Sequence, residues 1–278
     1  MSALSAEVTA PRAGSAAAEH ASAGAAAELA PRARLWPALS AVYRAQLSRA
    51  RVARIPLLFV ATFQSVGIMV LMRGVVESGP GEAARAVVAG SSVLVVAFVA
   101  LNLLAQYFGQ LRASGGLDHY ATLPVPPAAV VLGAAGAYAS FTVPGVLVTA
   151  VIGSWLFQLP MGGLWVLVAV VPLAGAALAG LGAALGLLAP RQELATLCGQ
   201  LGMSAALLLG VLPAGPMPQL LQWARDLLPS TYGVEALAEA FKPSPNWAQV
   251  AFDLGICAAV GVVALMLATW AYRRAASR

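Results

Sequence analysis

Side chains able to do chemistry are few in this sequence, and they stand apart. Its 2 histidines, His20 and His119, its 2 cysteines, Cys198 and Cys257, and its 11 carboxylates never reach the spacing that holds a metal ion. No Gly-x-Ser-x-Gly supplies a nucleophile turn. No Gly-x-x-x-x-Gly-Lys-Ser/Thr supplies a phosphate cradle, and the only lysine is Lys242. The chain cannot bind ATP by that route. Three polar constellations remain. The first is the hydrophilic island Gly109 to Pro126, which carries Arg112, Gly116, Leu117, Asp118, Tyr120, Leu123 and Pro124. Arginine and aspartate there can make charge-assisted bonds, and the leucines and tyrosine form an apolar knob. The second is Tyr232, Glu235 and Glu239 after Pro229, at i, i+3 and i+7 on one helical face. The third is Asp253, a carboxylate inside an apolar block. An intramembrane carboxylate is a functional candidate by default, for a cationic substrate or a gate. A position near the exterior interface, where water reaches it, serves equally as a reading.

These residues must be positioned by apolar segments. The chain is 60% hydrophobic and 10% charged, far from the balance of a soluble domain. Six long blocks stand out, at about 56–72, 86–108, 128–157, 164–189, 194–213 and 248–271, and Asp253 is the one formal charge in them. A bilayer core is crossed by roughly 20 apolar residues in a helix, and open sheets leave backbone groups unpaired in lipid. The fold expected is an all-α membrane protein with six transmembrane helices. Lys and Arg are denser on one set of flanks (Arg44, Arg49, Arg51, Arg54, Arg112, Arg191, Arg273, Arg274, Arg278) than on the other (Arg73, Arg85, Arg225, Lys242). The positive-inside rule therefore puts both termini and the 109–127 loop in the cytoplasm. The net charge of +5 sits at span ends, which excludes nucleic acid as its purpose. Both cysteines fall in spans, so no disulfide is expected.

Residues 1–34 are Ala-rich with almost no large apolar side chain, and read as a disordered cytoplasmic tail without a signal-peptide core. From Leu35 to Arg54, Leu39, Val42, Tyr43 and Leu47 share one helical face and Arg44, Arg51 and Arg54 another. That pattern predicts an interfacial helix facing lipid phosphates, ending before a break at Pro56. Gly182 with Gly186, and Gly202 with Ala206 and Gly210, make small-residue seams where helices approach closely. Between the last two spans, Leu220, Trp223, Leu227 and Leu228 predict one amphipathic helix ending before Pro229. A second follows, capped by Ser230-Thr231, with Val234, Leu237 and Phe241 as its apolar face. The pair suggests a re-entrant or interfacial cap. Glu235 falls in the second helix's first turn, where the dipole favours a negative charge. Asn102 and Gln106, with Gln64, Tyr138, Gln200 and Ser204, are polar span residues suited to a pathway or to interhelical bonding.

Two motifs carry a family likeness. One is Arg112-Ala-Ser-Gly-Gly-Leu-Asp-His-Tyr-Ala-Thr-Leu-Pro-Val with Val131-Leu-Gly133 after it. The other is Leu188-Ala-Pro-Arg-Gln-Glu-Leu-Ala, followed by Pro213, Pro218 and Leu228-Pro-Ser-Thr-Tyr-Gly-Val-Glu-Ala-Leu. In this layout the chain resembles the ABC-2 type transporter permeases, in particular the bacterial drug- and antibiotic-efflux branch, over residues 35–278. The departures are at Ala113, where the family's usual acidic neighbour of the arginine is missing, and at Gly210-Val-Leu-Pro-Ala214, where Gly followed by an aromatic and Pro is more usual. The resemblance implies a membrane subunit that is not itself an enzyme, with Mg-ATP bound by a partner. It implies cytoplasmic ABC ATPase subunits docking on a coupling helix built from Arg112, Gly116, Leu117, Asp118, Tyr120, Leu123 and Pro124. It implies a homodimer or a paired permease half in a bacterial plasma membrane, exporting an amphiphilic or apolar substrate past a gate at Pro229, Tyr232, Glu235 and Glu239. The alternatives are a membrane-embedded enzyme, for which Glu235 and Glu239 are the available acid pair, and a secondary transporter, which calls for a repeat and intramembrane charges.

Overall fold

Long runs of Ala, Leu and Val leave the backbone one way to satisfy its own N–H and C=O groups away from water, which is the helix. A computed structural model describes residues 34–49, 54–76, 81–211 and 228–276, and their regular structure is entirely helical. The tail over 1–33 and the amphipathic helix expected at 220–227 lie outside the described residues.

Helix α1 is Leu35–Arg49 and α2 is Arg54–Arg73. Helix α3 runs Glu82–Ala113 and contains a π segment, Ala97–Leu103. The six-residue α4, Gly116–Ala121, precedes α5, Pro127–Leu156. A 3-10 turn, Met161–Val166, leads into α6, Leu167–Leu188. Helix α7 is Gln192–Val211, α8 is Pro229–Ala240 and α9 is Trp247–Ala276. Among the described residues, four stretches are long and apolar enough to cross a membrane: Glu82–Ala113, Pro127–Leu156, Met161–Leu188 and Trp247–Ala276. They match the second, third, fourth and sixth of the expected spans. The first block folds as α2, whose apolar part Leu58–Arg73 is shorter, and the fifth as the 20-residue α7.

Helix α3 is the hub. It is buried along nearly its whole length, against α2, α5, α6, α7 and α8. The seam of Gly182 and Gly186 explains how α6 comes so close. A methyl on either would collide with backbone of α3, the carbonyl oxygens of Leu101 and Ala105. This seam works inside one chain, and so does Gly202, whose added methyl would press on Leu101. Helix α9 covers α6 and α8 with one face and exposes the other.

Helix α1 buries the face the sequence marks, with Ala38, Val42 and Gln46 inside and Leu39, Tyr43 and Leu47 half-buried. That face meets protein. Gly133 of α5 lies under Val42, the Tyr43 hydroxyl and Ser140 Oγ are 3.0 Å apart, and Gln46 Nε2 donates to Tyr107 Oη at 2.5 Å. Pro56 sits inside the first turn of α2, where a proline costs no hydrogen bond, rather than before the helix. Exposed tryptophans collect at the two ends of the bundle, Trp155, Trp165 and Trp247 at one and Trp36 and Trp270 at the other. That distribution suits rings lying at the two interfaces.

Candidate functional site

At the end of the bundle that carries Arg44, Arg112, Arg191, Arg273 and Arg274, the chain turns sharply between α3 and α5. Ser114 ends α3, and Gly115 follows at φ 70°, a left-handed conformation that costs a glycine little. Gly116 starts α4 in a tight place, where a methyl would lie 2.6 Å from Leu111 Cδ1 and 3.2 Å from the Leu111 carbonyl oxygen. The helix therefore folds back beneath α3 and leans on the last turns of α9.

This fold-back decides which of the residues expected to couple face out. Leu117 is only 3% exposed and belongs to the core, so it is not the outward knob expected of it. Tyr120 is half-buried beside Tyr272 of α9. Leu123, 41% exposed, and Pro124 form the apolar apex, with Thr122 beside them. The side chain of Asp118 lies outside those described. The outward surface is thus the exit of the turn rather than the helix itself.

Arg112 is turned inward as well. Its Nη1 donates to the carbonyl oxygens of Leu187 at 2.8 Å and Ala189 at 2.7 Å. Those are end carbonyls of α6, which have no partner within the helix, and a cation there also meets the negative end of the dipole. One guanidinium so joins the two motifs that carry the likeness. Gly109 adds to the joint, because a methyl on it would stand 2.5 Å from Ala195 Cβ of α7. Arg112 therefore sets the register of α3 on α6 within the chain, rather than bonding outward.

At the opposite end, α8 is built into the bundle. Val234, Leu237 and Phe241 are buried as the spacing predicts, and so are Pro229, Ser230, Thr231, Gly233, Ala236 and Ala240. It packs on α3, α6 and α9. The Cys257 thiol donates to the Pro229 carbonyl at 3.8 Å, which places the start of α8 ten residues into α9, or about 15 Å along it. The helix begins one residue earlier than the expected cap, with Pro229 at its first position and Leu228 before it, and makes no side-chain cap bond. Glu235 consequently stands in the second turn, where the dipole argument no longer applies.

Tyr232, Glu235 and Glu239 are half-buried on their shared face. Glu239 pairs with Lys242, and its Oε1 accepts the Asn246 N–H at 3.2 Å. Asn246 Oδ1 in turn accepts the N–H groups of Ala248 at 3.2 Å and Gln249 at 3.4 Å, capping α9. Burial raises the Glu239 carboxyl, but the bonds with Lys242 and Asn246 and the charges of Lys242 and Arg85 outweigh it and hold it below the ordinary 4.5.

Of the pathway candidates, Asp253 and Asn102 are inside, Gln64, Gln106 and Tyr138 are half-buried, and Gln200 and Ser204 are exposed. Asp253 is 2% exposed; its Oδ1 accepts from Gln249 Nε2 at 3.0 Å, while Oδ2 is buried with no partner among the described residues. Asn102 is 1% exposed and accepts from Gln106 Nε2 at 3.0 Å. It stands against Gly199 of α7, within the π segment of α3. A π segment widens a helix locally and frequently marks a functional site, and nothing in the apolar run 97–103 signals it except Asn102. Reading the sequence also missed the Gln46–Tyr107 bond, because it joins residues 61 apart.

Residues 38–241 match the family model described as ABC-2 type transporter. No curated protein matches the chain at a significant level.

Proposed function

The chain belongs to the ABC-2 type transporter family, and on that premise we propose that it is the membrane-spanning permease of an ATP-driven exporter. A multi-pass membrane component of this family works with an ABC ATPase. In this reading two copies, or a copy and a paired half, span a bacterial plasma membrane with six spans each. Both termini and the Arg112 end face the cytoplasm. Separate ATPase subunits bind Mg-ATP and press on the turn between α3 and α5.

The single observation that supports this most is the mounting of that turn. Leu123 and Pro124 are presented, while Leu117 and Arg112 lock the turn to α9 and α6. A force applied at the apex reaches three long helices without bending a loop. At the exterior end, α8 enters beside α9 as a re-entrant helix, and Tyr232, Glu235 and Glu239 border the exit. Asp253 and Asn102 are buried in the bundle and Gln106 is half-buried beside Asn102, so a role for them in passage requires the helices to separate during transport. Spans with so little charge suit an amphiphilic or apolar cargo.

The test is reconstitution of the full chain with its ATPase. Leu123→Glu is expected to leave the permease folded and inserted while ATPase capture falls at least tenfold. Undiminished capture would remove the docking role from the apex.

A further inference from the structure

A concave groove runs down the face formed by α5, α6 and α9. Two cavities, of about 670 and about 470 Å³, meet at Leu132 and Leu265, which line both. Along α5 the lining extends from Ala128 to Leu147, about 28 Å at the helical rise, close to the ~30 Å of a bilayer's hydrocarbon core. Nearly all of the wall is aliphatic, and its polar atoms Tyr43 Oη and Ser140 Oγ satisfy each other.

Polarity is concentrated at one end. There Thr269, Trp270 and Arg273 close the second cavity. Arg273 is exposed, and no described carboxylate pairs with it. The neighbouring Arg274 lies over the Trp270 ring at 5.4 Å and shares a small cavity with Arg112. The end is cationic and aromatic, and the rest is apolar.

An apolar groove within hydrocarbon does not stay empty, because its lining would forfeit dispersion contacts. Its occupant must be apolar along most of its length and anionic at the Arg273 end. We propose that the groove seats an acyl chain of an anionic phospholipid, with the phosphate against Arg273 and the glycerol region beside Trp270 and Thr269. Arginine suits this place because its fork matches phosphate oxygens and its stem lies along apolar wall. A second copy of the chain fits the face less well. A two-fold axis along the membrane normal brings the second Arg273 to the same depth, so that like charges approach.

The full-length protein in detergent, offered phosphatidylglycerol and phosphatidylcholine with identical chains, tests this by native mass spectrometry. The wild type is expected to retain phosphatidylglycerol preferentially. Arg273→Gln should weaken that retention roughly fivefold and leave phosphatidylcholine unchanged. Leu132→Trp, which fills the junction of the cavities, should lower both lipids together. Equal retention of the two lipids by the wild type, or an intact preference in Arg273→Gln, overturns the proposal. So does an oxidised dimer of Val262→Cys in membranes, which would give the groove to a second copy.

Discussion

Two short helices, α4 and α8, sit at opposite ends of one bundle and are held there by different physics. Helix α4 has 6 residues, too few to be stable alone. It is fixed by a left-handed glycine, one buried leucine, and an arginine that caps a neighbouring helix. Helix α8 has 12 residues and is fixed by apolar burial against four helices, α3, α6, α7 and α9, with a start that no side chain caps. The first arrangement leaves its apex open to a partner at little cost to the fold. The second makes position and stability the same thing. A device that receives force suits the former, and a plug or gate that must fit its surroundings suits the latter.

The contrast is sharpest at α4 itself. Leu117→Glu places a charge at a site 3% exposed, and should cost about 4 kcal/mol or more, seen as loss of monodisperse protein. Leu123→Glu should change stability by less than about 0.5 kcal/mol and act on ATPase capture alone. A folded Leu117→Glu protein that only uncouples would mean that α4 presents Leu117 after all, and the two helices would no longer differ in kind.

Next in size is the mooring of α8. Gly163 lies so close to the Ala240 carbonyl that an added Cβ would collide with it. Gly163→Val should lower stability by about 1–3 kcal/mol, measured as thermal midpoint. An unchanged midpoint would show that the end of α8 gives way, and so is not held by fit. Arg112→Gln removes the charged donor from two helix-end carbonyls, for about 1–3 kcal/mol. The expected sign is faster proteolysis within 112–126 and weaker coupling, with α8 unaffected; protection equal to wild type would detach α4 from α6.

The smallest effect is at the α8–α9 turn. Lys242→Gln should cost under about 1 kcal/mol, since the lysine of the Glu239 pair is 43% exposed. Glu239 is held below its ordinary 4.5, so the pair's contribution is present above that pH and fades as pH falls through the lowered value. Wild type and variant should therefore converge in acid. Converging in alkali instead would reverse the assigned sign. In transport, the Glu235→Gln, Glu239→Gln double variant should, on the proposed function, slow transport with basal ATP hydrolysis intact, and full transport would leave this face with a structural role only.

Much of this was legible in the residues. The apolar blocks mark the helices, the arginine flanks mark one end, and the spacing of Val234, Leu237 and Phe241 marks the buried face of α8. Those signals are local, because periodicity and run length reflect the solvent each residue meets. The misread positions are nonlocal. Leu117 and Leu123 look alike as leucines in a polar loop, and only the fold-back at Gly115–Gly116 separates them. Arg112 reads as an outward charge until α6 ends beside it. Ser230-Thr231 reads as a cap until Pro229 takes the first helical position.

The sequence by itself determined the helical membrane architecture, the location of its polar island and the absence of a nucleotide-binding motif, because composition and local order suffice for these. Tertiary structure alone decided that one arginine joins segments 75 residues apart. It also put a leucine inside and left another out, opened a π segment around Asn102, and brought an apolar groove to an arginine. Each of those depends on which backbones can approach, and the close approaches of glycine set that only once the helices are packed.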